Sequence, residues 1–361
     1  MKHAFIAASA LVLGSSAFAQ VVVDGTAEAS YGDALSTQVC GTGFGNATDG
    51  LTGTCNGSEL DAAYAVLDTT GGYLYLTFAG NLQSNFNKFE LFIDCVAGGQ
   101  NEVRSDNPDV DFNGLSRMGA DTVNGFPGLK FDAGFESDFY FTCTGGNDPY
   151  TLYANFAQML TAGGGIGAYI GSSVTDPKTG VIRIDDATYG LQVAMNNSNV
   201  AGVDGDPTNL TNSGAGVTTG IEVRIPLATL GWDGNSPIKV CAFVNGGGHD
   251  YASNQFLPPL PAGTGNLGGD GFGGYVGGFP AALRFDLGTI AGDQFFVIGG
   301  GSPNNCPADL DGDGSVSGSD LGAMLGAWGV CSGACPADLD GDGSVSGSDL
   351  GAMLGAWGAC P

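Results

Sequence analysis

Tyr73-Leu74-Tyr75-Leu76-Thr77-Phe78 sets Leu74, Leu76 and Phe78 on one side of an extended chain and Tyr73, Tyr75 and Thr77 on the other. That period of two is the signature of an antiparallel strand with one face buried and one face wet. The same alternation runs through Gly220–Pro226, where Ile221, Val223 and Ile225 read as inward and Glu222 and Arg224 as an outward surface pair. Working outward, similar short runs occupy Ala62–Asp68, Gly72–Gly80, Lys88–Cys95, Asp138–Cys143, Tyr150–Phe156, Gly190–Met195, Ile238–Asn245 and Ala281–Leu287. Gly, Asn, Asp and Pro punctuate them, and no long helical period competes between Gln20 and Gly301. The pattern predicts a mainly β body, an antiparallel sandwich or barrel.

Composition narrows the partners. Thirty-seven Asp and Glu stand against ten Lys and Arg, a formal charge of −27, which repels phosphate backbones and attracts cations. Nucleic-acid binding is therefore excluded, and divalent cations become the partner to look for. Hydrophobic residues still make up 43% of the chain, too many for an acidic disordered polymer. The 65 glycines follow no Gly-X-Y period, so the chain is not collagenous.

The two ends carry the clearest signals. Residues 1–19 read as a secretory signal: Lys2 and His3, an apolar run from Ala4 to Leu13, then Ala17-Phe18-Ala19 before Gln20. The run is shorter than the roughly 20 residues a membrane span needs, and no later stretch is long enough, so a secreted or cell-surface protein without a transmembrane segment is expected. At the other end, the residues from Cys306 to Gly329, CPADLDGDGSVSGSDLGAMLGAWG, recur without change from Cys335 to Gly358. Each copy holds D-x-D-x-D-G, the front of a calcium loop whose oxygens sit at alternate positions and whose glycine makes the sharp turn. The first copy offers Asp309, Asp311, Asp313, the Ser315 carbonyl, Ser317 and Asp320; the second offers Asp338, Asp340, Asp342, Ser344, Ser346 and Asp349. Four carboxylates within one such loop repel unless a cation sits among them. After each loop Leu321, Met324, Leu325 and Trp328, and their counterparts, fall at helical spacing and are expected to form the core of this tail. Gly322 and Gly326 weaken that helix, so calcium should hold it, while the small residues would let the helices approach closely.

With no helix ahead of either loop, residues 306–361 resemble the type I dockerin module of secreted polysaccharide-degrading systems. The resemblance implies two calcium ions and a cohesin-like partner, met through Gly318 and Ser319 or through Gly347 and Ser348. The tail departs from the cellulosomal pattern in having no Lys or Arg. Four of the nine cysteines, Cys306, Cys331, Cys335 and Cys360, bracket the repeats, and spacing leaves three pairings open. Antiparallel packing of the halves, as in dockerins, implies Cys306 with Cys360 and Cys331 with Cys335. In the body Cys40 and Cys55 read as a staple, Cys95 and Cys143 point into a core, and Cys241 has no obvious mate.

Val23-Asp24-Gly25-Thr26, Leu74-Tyr75-Leu76, Glu90-Leu91-Phe92-Ile93-Asp94 and Gly220–Leu227 together resemble the jelly-roll sandwiches of family 9 carbohydrate-binding modules. That resemblance implies a sugar clamped by exposed aromatic rings, with Tyr73, Tyr75 and Tyr140 as candidates and Trp232 packed under its turn. Asp109, Asp111 and Asn113 imitate calcium positions 1, 3 and 5, a candidate third ion, although position 12 falls on Ala120. Pro258–Pro280 reads as a long Gly-rich loop over the body. No nucleophile elbow, Ser-His-Asp context or phosphate loop appears, so no catalytic residue is assigned.

The resulting expectation has residues 1–19 as signal, 20–300 as a jelly-roll-like β-sandwich, 301–305 as linker and 306–361 as a small α-helical, calcium-binding, dockerin-like tail. It describes a secreted protein that binds a polysaccharide and docks to a protein partner. The alternatives are a glycoside hydrolase carrying the same tail and a structural cell-surface protein.

Overall fold

A computed structural model of the chain describes residues 21–45, 57–176, 179–276, 283–299, 306–310, 315–331, 335–340 and 342–359. The expected signal and linker, Asp311 and Asp313 of the first repeat, Cys55 and Cys360 lie outside the described residues. The fold is mainly β and its sheets are antiparallel.

The strands of the body are β1 (Ser36–Thr37), β2 (Glu59–Asp68), β3 (Tyr73–Asn81), β4 (Lys88–Asp94), β5 (Phe139–Gly146), β6 (Thr151–Gln158), β7 (Gly167–Val174) and β8 (Val181–Asp185). They continue with β9 (Gln192–Asn196), β10 (Asp204–Asp206), β11 (Asn209–Asn212), β12 (Gly220–Pro226), β13 (Ile238–Asn245), β14 (Ala252–Leu257) and β15 (Phe296–Ile298). One sheet runs β1-β2-β3-β12-β9-β8, a second runs β14-β13-β4-β5-β6-β7 with β15 also on β13, and β10 and β11 form a separate hairpin.

Alternation built the main core as expected. Leu74, Leu76 and Phe78 of β3 and Ile221, Val223 and Ile225 of β12 meet Phe89, Leu91 and Ile93 of β4 and Phe139 and Phe141 of β5 in one buried cluster. Cys95 and Cys143 pack in this cluster as free thiols. Trp232 packs against it and donates Nε1–H to the Ser236 carbonyl at 2.7 Å.

The outer faces of both sheets depart from the expectation, because each is covered. Val23, Ala27 and Tyr31 of the N-terminal segment lie over Ala62, Tyr64, Tyr75, Ala79 and Ala194 of the first sheet. On the second sheet, Val103, Val110, Leu115, Leu129, Phe131, Leu260, Leu267 and Phe285, from the two long connections, cover Phe92, Tyr140, Cys241 and Phe243. Glu222 is accordingly not a surface residue: it is fully buried and accepts hydrogen bonds from Asp24 N and Gly25 N at 2.8 Å and Tyr31 OH at 2.6 Å. Burial pushes its carboxyl up to about 7 despite those donors. Among the described part of the ninth expected strand, Leu283–Leu287, no strand forms; Leu287 begins a short 3-10 turn capped by the Asp286 carboxylate.

Cys40 is not stapled. It is a buried free thiol lying 3.3 Å from the carbonyls of Leu260 and Pro261. Cys241 is likewise free, and burial pushes both thiols up, as it does those of Cys95 and Cys143. Among the described residues no helix is long and apolar enough to cross a membrane.

Candidate functional site

The uncovered end of the second sheet's outer face holds a pocket of about 470 Å³. Its floor comes from adjacent strands whose registers bring unlike side chains together. Lys88 on β4 sits opposite Thr144 on β5, Thr144 opposite Tyr153 on β6, and Asn155 opposite Tyr169 on β7. Phe86 and Asn147 close two sides, and Asp111 and Phe112 reach over from the connection after β4. Four of the nine lining residues are aromatic, and Phe112 is 87% and Tyr169 59% exposed. A floor of ammonium, carboxylate, hydroxyl and amide under an aromatic rim suits a ligand with flat apolar faces and many hydroxyls. A cleft of about 590 Å³ lined by Asn199–Gly202 and Asn212–Thr219 has no aromatic residue in its wall, and one of about 680 Å³ on the first sheet's outer face carries two, Tyr73 and Tyr75.

The Asp111 arm is held in an unusual backbone state. Asp111, Phe112 and Asn113 have φ of 46°, 56° and 64°, three consecutive left-handed residues ahead of α1 (Gly114–Arg117). Side chains rarely adopt that region, so something must hold it. The holding group is a buried ionic network. Lys88 Nζ lies 2.9 Å and His249 Nε2 3.0 Å from Asp111 Oδ2, and Thr144 Oγ1 donates to the same oxygen at 3.0 Å. On its other side His249 Nδ1 meets Glu90 Oε1 at 2.7 Å, and Glu90 also takes Tyr140 OH at 2.6 Å and Asn245 Nδ2 at 3.1 Å. The His249 ring packs so closely on the arm that a Cβ at Gly114 would fall 2.2 Å from Nε2.

Both ring nitrogens of His249 face carboxylates, so the imidazolium, which donates at both, is the form that fits. Burial opposes charge on His249, but Glu90 and Asp111 outweigh it and raise its pKa above the ordinary value. Burial would likewise raise the Asp111 carboxyl, yet His249 and Lys88 hold it well below the usual carboxylate range. Two cations and two anions thus balance inside the body, with Lys88 and Asp111 presented to the pocket.

This placement bears on two expectations. Asp111 gives its Oδ2 to a lysine and a histidine, a poor setting for a calcium ligand; Asp109 is exposed, and Asn113 is the residue before α1. The third ion near Asp109, Asp111 and Asn113 therefore finds no support. Of the expected stacking tyrosines, Tyr140 is fully buried on Glu90, whereas Tyr75, mostly buried, and Tyr73, under the Arg224 guanidinium at 4.4 Å, line the cleft on the first sheet. Sequence reading missed Phe86, Phe112, Tyr153 and Tyr169. Phe112, inside a polar Asp-Asn loop, was the one with a visible signal.

In the tail, the described residues of each repeat form a two-residue strand, a helix and a second two-residue strand. The first has β16 (Ser315–Val316), α2 (Gly318–Gly326) and β17 (Gly329–Val330); the second has β18 (Ser344–Val345), α3 (Gly347–Gly355) and β19 (Gly358–Ala359). β16 pairs with β19 and β17 with β18, so each loop is stitched to the end of the other repeat. Cys331 and Cys335 form a disulfide, and Cys306 is disulfide-bonded as well. Asp338, Asp340 and Asp342 bring carboxylate oxygens within 4.8 Å of one another. Asp338 accepts Asp342 N at 3.1 Å and Gly343 N at 2.9 Å, which curls the loop around that group. Ser344 N donates to Asp342 at 2.9 Å. Ser317 and Ser346 cap the helices, with Asp320 and Asp349 completing capping boxes. Asp349 is fully buried, takes Leu339 N at 2.8 Å and Ser346 N at 2.7 Å, and the Ser346 amide leads in lowering its pKa; Asp320 takes Leu310 N at 2.7 Å in the same way. Asp309 lies at the head of the first loop, hydrogen-bonded through its amide to the Cys306 carbonyl.

The apolar stripe does not form the tail core as a unit. Met324 and Met353 are buried with Val316, Val345, Ala308 and Ala337, whereas Leu325 and Leu354 are each 53% exposed and Trp328 and Trp357 are about half exposed. A Cβ at any glycine of the two tail helices would meet nothing within 4 Å, so these glycines do not serve close helix approach.

Comparison with family models, with curated proteins and with solved structures finds no match.

Proposed function

We propose that this is an exported carbohydrate-binding protein, its body a jelly-roll-like β-sandwich and its tail a calcium-held, dockerin-like docking module. The observation that carries the reading is the pocket: an aromatic rim of Phe86, Phe112, Tyr153 and Tyr169 over Lys88, Asp111, Thr144 and Asn155. Rings of this kind take the C–H faces of a sugar, and the floor supplies donors and acceptors for its hydroxyls. Among the described residues lining the pocket Asp111 is the sole acid, and it is tied to Lys88, so the geometry favours binding over acid–base hydrolysis.

The tail supports the calcium half of the reading through the Asp338, Asp340 and Asp342 group, the curled loop and the lack of any Lys or Arg from 306 to 361. Calcium would supply the positive charge these loops lack, with Asp338, Asp340 and Asp342 holding it. The duplicated exposed pairs, Leu325 with Trp328 and Leu354 with Trp357, support a docking role toward a cohesin-like protein.

The test of the pocket is titration of the full chain with neutral oligosaccharides, followed by Phe112→Ala and Tyr169→Ala. Each ring is exposed, so folding should be untouched, and loss of one stacking face should weaken binding about fivefold to tenfold. Unchanged affinity in both variants would refute the assignment.

A further inference from the structure

We propose that the binding surface does not end at the pocket but continues across the Gly246–Gly248 turn to a second aromatic platform, so that the ligand is a neutral polysaccharide chain lying over both. The inference rests on the reading of the pocket as a carbohydrate site.

Phe86 is both a wall of the pocket and the near bank of that turn: a Cβ at Gly247 would lie 3.1 Å from the Phe86 carbonyl oxygen and 3.7 Å from its Cβ. On the far bank, a Cβ at Gly246 would lie 3.5 Å from Cβ of Tyr251. The Tyr251 ring is 4.5 Å from that of Tyr275 and 6.1 Å from that of Phe44, the latter stacked within 19°. Tyr251 OH donates to the Gly273 carbonyl at 3.1 Å, which ties the loop carrying Tyr275 to the platform. Tyr275 is 75% exposed and Phe272, on the same loop, 95%. Phe44 anchors the platform by packing against the main core, while Tyr251, Tyr275 and Phe272 belong to neither core cluster of the two sheets, so core packing does not account for those three.

Close approach explains glycine at two places in the turn, where a Cβ at Gly247 would press the Phe86 carbonyl at 3.1 Å and one at Gly248 the Asp250 carboxylate, but not at Gly246. Neither Gly246 nor Gly247 has the positive φ that favours glycine, and at Gly246 an added Cβ would meet only ordinary contacts. A larger side chain at Gly246 would stand beside Tyr251 on the way from the Phe86 bank, and its absence leaves that path open. A chain of charge −27 disfavours a polyanion, Lys88 in the pocket lining disfavours a cationic residue there, and the flanking rings offer their faces to the C–H groups of a neutral chain.

The experiment is a calorimetric length series, cello-, xylo- and manno-oligosaccharides from disaccharide to octasaccharide, on the full chain and on Tyr275→Ala and Gly246→Leu. Affinity should rise about fivefold to tenfold once the chain outgrows the pocket, the contribution of one further buried ring. Both variants should abolish that gain and leave the shortest binding oligosaccharide unaffected. Affinity independent of length, or a length gain that survives both variants, would overturn the extension while the pocket stands. No binding at any length would sink both.

Discussion

Replacing Asp111 by Ala is the sharpest test of how the pocket is held. In the native body Asp111 and Glu90 face Lys88 and His249, all four side chains at 5% exposure or less, and Asp111 Oδ2 alone takes contacts at 2.9 and 3.0 Å from the two cations. Removing one partner of a buried pair leaves an uncompensated charge, at a cost of about 3–5 kcal/mol. At roughly 2–4 °C per kcal/mol for domains of a couple of hundred residues, the body's Tm should fall by about 6–20 °C. The loss should be larger at pH 6 than at pH 9, because only the native protein holds the His249 proton with two carboxylates. Asp106→Ala is the control: it removes an equally short pair with Arg104, at 2.7 Å, in which Asp106 is 55% exposed, and should cost about 1 kcal/mol or less. Thermal unfolding followed by circular dichroism measures both. If Asp111→Ala melts alongside Asp106→Ala, the network does not hold the arm and the electrostatic reasoning is wrong.

Two further outcomes follow from the same structure. Burial raises Asp61 and Glu222 to about 7 and Asp138 to about 6, so the native state binds these protons more tightly than the unfolded chain, and stability falls as pH rises from about 4 through 6 to 7. His249 acts with the same sign, since its pKa is raised and its contribution fades above that pKa. Carboxyls held low, such as Asp106 by Arg104, lose their contribution only below about pH 4. Tm should therefore peak near pH 5, and a Tm at pH 8 equal to or above that at pH 5.5 would contradict the assignment. In the tail, calcium added to the full chain should bind with a stoichiometry of two and protect residues 306–361 from proteolysis, adding about 2.7 kcal/mol per site at a free concentration 100 times Kd. Asp338→Ala with Asp340→Ala should abolish one of the two sites; calorimetry showing both sites intact would remove these residues from the ligand set.

How far the sequence could be read depended on what each pattern encodes. The strands with strict alternation, β3, β4, β12 and β13, lie where the period of two placed them, within a residue or so. β14 was missed because Ser253, Asn254 and Gln255, all fully buried, carry no hydrophobic period; they are satisfied instead by the N-terminal loop, as where Asn254 donates to the Gly41 carbonyl at 2.8 Å. β7 was missed because Gly167 and Gly171 dilute its pattern. Glu222 was misread for a physical reason. Alternation tells which residues lie on opposite faces, but only the chain's return over each sheet decides whether the second face is wet.

The sequence by itself determined the mainly β body and the repeated loop-and-helix tail, because both rest on periodicities within a few residues of one another. The Cys331–Cys335 disulfide is nearly as local, four residues apart. The pocket belongs to tertiary structure alone. Its aromatic rim comes from four separate segments, and its central arm is held by Lys88, Glu90 and His249, the last more than 130 residues further along the chain. No local pattern marks such a site, since the energy that fixes it is the mutual neutralisation of charges that only folding brings together.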